Sequence, residues 1–174
     1  MPATLATDAD LAIVAEQLGR PPRGVAGIAW RCPLGRPAVV LTAPRLEPDE
    51  PFPTTYYLTC PMAVRACSRF EAAGLMAAMT ARLRNEPDLQ ADYQAAHQAY
   101  LAARAELALQ LGVNDVPRPS VSAGGMPDRV KCLHALVGQA LAVGPGVNPF
   151  GDEALALMGD FWDEQCDSSD GCSE

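Results

Sequence analysis

Histidine is nearly absent from this chain: His97 and His134 are the two it has in 174 residues. No HExxH pair, glycine-rich phosphate loop with its lysine, GxSxG elbow or dinucleotide fingerprint occurs, so the familiar signatures of zinc peptidases, nucleotide enzymes and serine hydrolases are excluded. Long apolar runs are missing too. The longest uncharged segment, from Leu133 to Phe150, is broken by Gly138, Gly144, Pro145, Gly146 and Pro149 and falls short of a membrane span. The first twenty residues carry acids where an export signal carries lysine or arginine. These absences predict a cytoplasmic protein with no membrane partner. In that compartment thiols stay reduced, so six cysteines favour buried thiols, metal ligands or redox chemistry over disulfides.

What is present is a globular composition, 49% hydrophobic and 20% charged. It predicts one domain over residues 1–163, followed by an acidic, disordered tail over 164–174 that ends in CDSSDGCSE. The net charge of −8 is unevenly spread. From Arg20 to Arg69 seven arginines face three acids, whereas from Asp152 onward there are eight acids and no base. Arginine forks suit phosphate and carboxylate, which makes Arg31, Arg36 and Arg45 candidates for holding an anionic small molecule. The plainer reading is a solvated surface balanced by the tail. A pI near 4.7 and the lack of lysine between Arg20 and Arg69 argue against nucleic acid, although Trp30, Tyr56 and Tyr57 lie near the arginines.

Periodicity predicts the elements. A first helix starts at Thr7 or Asp8, carries Leu11, Val14, Ala15 and Leu18 on one face, and stops at Gly19. VAGIAWRC, AVVLTA and TTYYLT read as strands, the first two joined as an antiparallel hairpin by Pro33-Leu34-Gly35-Arg36. A helix capped by Cys60 is expected from Pro61 to about Arg84, and a second, capped by Asn85, places Leu89, Tyr93, Ala96, Tyr100, Ala103 and Leu107 on a seam. That seam suits a helical hairpin within the chain or a homodimer, and His97 is expected to face solvent. A buried helix is predicted from Asp128 through Leu141, and an amphipathic one from Asp152 to Trp162. The fold class is α+β: about three antiparallel strands near the N-terminus, packed against a long helical hairpin and a buried C-terminal helix.

Cys32, Cys60, Cys132 and His134 are the candidate metal ligands. Three thiolates and an imidazole suit zinc or an iron–sulfur cluster, but a Cys132–His134 spacing of two cannot serve one ion from inside a helix, where such residues point about 200° apart. Cys132 must then precede its helix. An alternative is a thiol-dependent hydrolase or transferase in which Cys60, at a helix N-terminus beside Arg65, is the nucleophile and His134 the base. Further alternatives are inert buried thiols with a core histidine, and a helical scaffold needing neither site. Cys67 joins one of these sites or packs, and Cys166 and Cys172 carry no assigned role.

RCPLGRPAVVLTAPRL, PFPTTYYLTCP, SRFEAAG, VKCLHAL and GVNPFG together resemble an uncharacterised family found in actinobacteria, domain of unknown function five hundred and one, over Val14 to Gly151. The resemblance implies no activity. It does imply that the positions of Cys32, Cys60, Cys132 and His134 belong to the family pattern, whereas Cys67 and the tail cysteines do not. It also implies a neighbourhood of cell-division and polyphosphate-related genes, an association without a mechanism. The expectation is a metal- or iron–sulfur-binding regulatory or binding module with an arginine-rich face.

Overall fold

The computed structural model describes residues 3–46, 50–115 and 125–159. Thr7 caps α1 (Asp8–Leu18) in a reciprocal box with Asp10, and Gly19 ends it at φ 65°. Strands β1 (Val25–Arg31) and β2 (Pro37–Thr42) form the expected antiparallel hairpin, with Gly35 in the turn at φ 77°. A short ribbon, β3 (Arg45–Leu46) with β4 (Glu50–Pro51), then leads to β5 (Tyr56–Leu58). That strand pairs antiparallel with β2, giving the order β1-β2-β5. The chain is therefore α+β as predicted, with the three-stranded sheet near its N-terminus.

The helical half departs from expectation at its boundaries. The helix predicted from Pro61 to Arg84 is two helices, α2 (Pro61–Ala72) and α3 (Leu75–Asn85), because Gly74 adopts φ 85° between them. A left-handed residue cannot continue a right-handed helix, and only glycine takes that conformation at little cost. Asn85 is the last residue of α3 rather than a cap; Glu86 precedes α4 (Pro87–Leu111). Tyr93, Ala96, Tyr100 and Leu107 of the seam are buried, and Leu89 and Ala103 pack against the same core, so the seam is used within the chain. His97 is buried at 6% exposure, not solvent-facing, since the helix is enclosed on a wider arc than the seam covers.

Residues expected to start a helix at Asp128 instead form a ribbon of β6 (Gly125–Met126) and β7 (Arg129–Val130). Helix α5 (Leu133–Val143) begins after Cys132, which is extended at φ −156°. The last helix, α6 (Pro149–Met158), starts earlier than predicted because the Asn148 side chain accepts the Gly151 N–H and Pro149 occupies the first turn. Trp162 and the predicted tail, with Cys166 and Cys172, lie outside the described residues.

Two glycines set the position of α5. A Cβ on Gly138 would stand 2.6 Å from the Tyr56 carbonyl oxygen, so the helix lies directly against β5; one on Gly151 of α6 would meet the Leu136 carbonyl. Gly138→Ala is accordingly expected to lower stability by about 1–3 kcal/mol in denaturant unfolding, because the obstacle is backbone and cannot swing away. The N-terminal side is pinned by charge. Arg31 grips buried Asp10 through Nη1–Oδ1 at 2.6 Å and Nη2–Oδ2 at 2.9 Å, while Thr7 donates its N–H and hydroxyl to Oδ2. The Arg31 fork, with help from Thr7, holds the Asp10 carboxyl well below the usual carboxylate range against the opposing effect of burial. A depressed carboxyl contributes stability that is present above its unfolded value, about pH 4, and lost as pH falls through the folded value. The stability gap between wild type and Asp10→Asn should therefore be about 2 kcal/mol at neutral pH and shrink steadily below about pH 4 in acid titrations.

Candidate functional site

One face of α2 carries Val64, Cys67, Ser68 and Glu71, positions three and four apart and thus neighbours, toward the start of α5. Glu71 Oε1 accepts the Leu133 N–H at 2.7 Å, satisfying one of the amides that every helix N-terminus leaves unpaired. The same oxygen lies 3.1 Å from His134 Nδ1. Cys132 Sγ lies 3.8 Å from that nitrogen, and Ser68 Oγ is 3.3 Å from Nε2 on the opposite side of the ring. One atom each from Glu71, Cys132 and His134 thus fall within 4.8 Å of one another, all three residues being half-buried. The Cys132 sulfur and the Glu71 carboxylate raise His134 above its ordinary value, and partial burial opposes them.

Cys132 and His134 meet because Cys132 precedes the helix. Its extended backbone turns the sulfur back over the first turn, where the His134 ring stands. Cys32 and Cys60 are not members of this cluster. Cys32 is buried at the hairpin turn, its N–H bonded to the Arg36 carbonyl; Cys60 is buried at the start of α2, where it precedes Pro61 as expected. Cys67 is fully buried. Burial pushes its thiol up to about 12, with the charges of Glu71 and Cys132 adding to the effect, so it remains a neutral packed thiol at physiological pH. Of the three candidate anion-binding arginines, Arg31 is taken up by Asp10, and Arg36 reaches Glu16 at 4.0 Å. Arg45 lies in β3 and is also engaged.

Cys132 and His134 open onto a cleft of about 520 Å³, whose other polar walls include Gln17, Thr54, Thr59 and Arg65. Glu71 is the member of the cluster that sequence reasoning missed. Ser68 and Glu71 stand three apart in the segment SRFEAAG, but neither composition nor spacing marks Glu71 as a ligand.

A thiol, an imidazole and a carboxylate thus meet at the start of α5, with Cys132 and His134 on the wall of the cleft, and their donor types suit a metal ion. The chain belongs to the family described as protein of unknown function (DUF501), whose pattern matches residues 28–156 and so spans all three cluster residues. No curated protein and no solved structure matches the chain.

Proposed function

We propose that this is a metal-binding protein in which Cys132, His134 and Glu71 hold a zinc ion whose fourth position opens to the cleft. The observation that carries the reading is the convergence of three different donors within 4.8 Å of one another. Zinc bonds of about 2.0–2.3 Å at near-tetrahedral angles set ligand atoms about 3.2–3.7 Å apart, close to the 3.1 and 3.8 Å spacings around His134 Nδ1. A ligating imidazole needs its second nitrogen fixed, and Ser68 Oγ stands where it can accept the Nε2–H and leave the Nδ1 lone pair facing Cys132 and Glu71. One thiolate does not suit an iron–sulfur cluster, which is held by several. Three protein ligands with an open position are the arrangement of sites that polarise a bound water or substrate.

A second reading rests on the Cys132–His134 contact itself. Without metal, a sulfur at the N-terminus of α5 beside an imidazole steadied by Glu71 has the parts of an activated nucleophile, with Cys132 rather than Cys60 in that role. Elemental analysis separates the two. Wild type purified under reducing conditions should carry close to one zinc per chain and Cys132→Ser almost none. Zinc-free wild type whose Cys132 is alkylated rapidly below pH 7 would replace the first reading with the second.

A further inference from the structure

The larger cleft has a smaller neighbour. A second cavity of about 160 Å³, lined by Arg20, Arg23, Val40 and Phe52 among others, adjoins it, with Leu18, Tyr57 and Thr59 lining both. In a chain of net charge −8 this region is locally basic: Arg20, Arg23 and Arg65 line it against Glu50, which pairs with Arg23 at 2.9 Å. Between the two cavities stands Thr59, 1% exposed, whose hydroxyl oxygen has no hydrogen-bond partner. Gln17 donates its Nε2–H to the Pro37 carbonyl at 2.8 Å, but its buried Oε1 accepts nothing. A buried polar atom left unpaired costs about 1–3 kcal/mol, a penalty that a ligand offering the complementary group removes. Pro61 lines the larger cleft at the first turn of α2, a helix whose N-terminus has no side-chain cap, so the positive end of its dipole adds to Arg65.

We propose that this cleft binds a small organic oxyanion, a phosphate monoester or carboxylate that also carries a hydroxyl or amino group. Its acid group sits between Arg65 and the Thr59 hydroxyl, and its donor reaches Gln17 Oε1. The remaining walls, Leu18, Tyr57 and Val64, take its carbon skeleton, and the open end presents it to Cys132 and His134. This site does not depend on the metal reading, because none of the three groups that recognise the ligand belongs to the Glu71–Cys132–His134 cluster.

The test is calorimetric titration of the full-length, zinc-free protein with glycerol 3-phosphate and with glycerate, which share a hydroxylated skeleton and differ in the acid group. Saturable binding of at least one, with Kd of about 1 mM or tighter, is expected, and the preferred compound names the acid. Arg65→Gln and Thr59→Val should each weaken it about tenfold or more, while Thr59→Ser, which keeps the hydroxyl, stays within about threefold. Arg65 is exposed but engaged, so a thermal melt of Arg65→Gln accompanies the titration to confirm that the variant is folded. Absence of binding by both compounds, or wild-type affinity in Arg65→Gln and Thr59→Val, overturns the proposal. Because zinc loading is measured without the anion and anion binding without zinc, either reading fails alone.

Discussion

Replacing Arg104 by methionine should destabilise the protein by about 3–5 kcal/mol, the cost of breaking a buried ion pair from one side. Arg104 and Asp115 are each less than a tenth exposed at the side chain, and they meet in a fork, Nε–Oδ2 at 2.7 Å and Nη2–Oδ1 at 3.1 Å. The remaining donors reach the Phe52 carbonyl at 2.6 Å and the Pro44 carbonyl at 3.0 Å. One guanidinium of α4 therefore ties down both ends of the proline-rich connection between β2 and β5. Tyr100, a turn earlier, continues the seam by accepting the Thr55 N–H at 2.6 Å and donating to the Pro53 carbonyl at 3.3 Å. Methionine fills the space but leaves Asp115 charged and two carbonyls unpaired. The double variant Arg104→Met with Asp115→Leu should recover much of the loss, since no lone charge remains. Urea unfolding of the four proteins in the cycle measures this. A single-variant cost below about 1 kcal/mol would show that water reaches the pair. Because β5 lines the cleft, loosening this connection should also weaken ligand binding there.

The second large effect is on zinc affinity. Cys132→Ser and His134→Ala each remove a ligand and should weaken zinc by at least about 100-fold in competition with a chromophoric chelator. Glu71→Gln should cost about 10–100-fold, because the amide retains an oxygen for the Leu133 N–H and loses the charge that would face a zinc ion in the proposed site. Glu71→Ala should, in addition, destabilise the zinc-free protein by about 1 kcal/mol, having removed the acceptor at the start of α5. An equal loss of zinc affinity in both Glu71 variants, with no loss of zinc-free stability in either, would mean that the carboxylate has no capping role.

The sheet was largely legible in the sequence because its signals are local. Short runs rich in β-branched and aromatic residues, bounded by Pro and Gly, and one turn with glycine at φ 77°, specify the hairpin within eighteen residues. Helix existence was legible as well, but not helix boundaries. The break at Gly74 and the start of α5 after Cys132 depend on the backbone of single residues, and apolar periodicity runs past both. The site was half legible. Cys132 and His134 are close in sequence and their meeting required only that the helix begin after Cys132, whereas Glu71 comes from sixty-odd residues away and carries no mark of its role in composition or spacing alone. Cys32 and Cys60 had the same claim as Cys132 by residue type, but the fold leaves them outside the cluster of donors. Buried polar groups such as Arg104, Gln139 and Asn148 were invisible for a similar reason. Gln139 donates to the Ala96 carbonyl at 2.9 Å and accepts from Asn148 at 2.8 Å, a chain of bonds that exists only after three helices have packed.

X-ray absorption at the zinc edge of the zinc-loaded protein tests the proposed metal site most directly. One sulfur at about 2.3 Å and two or three nitrogen or oxygen neighbours near about 2.0 Å are predicted, with the sulfur lost in Cys132→Ser. A shell of three or four sulfurs, or one with none in the wild type, would contradict the assignment of Cys132, His134 and Glu71.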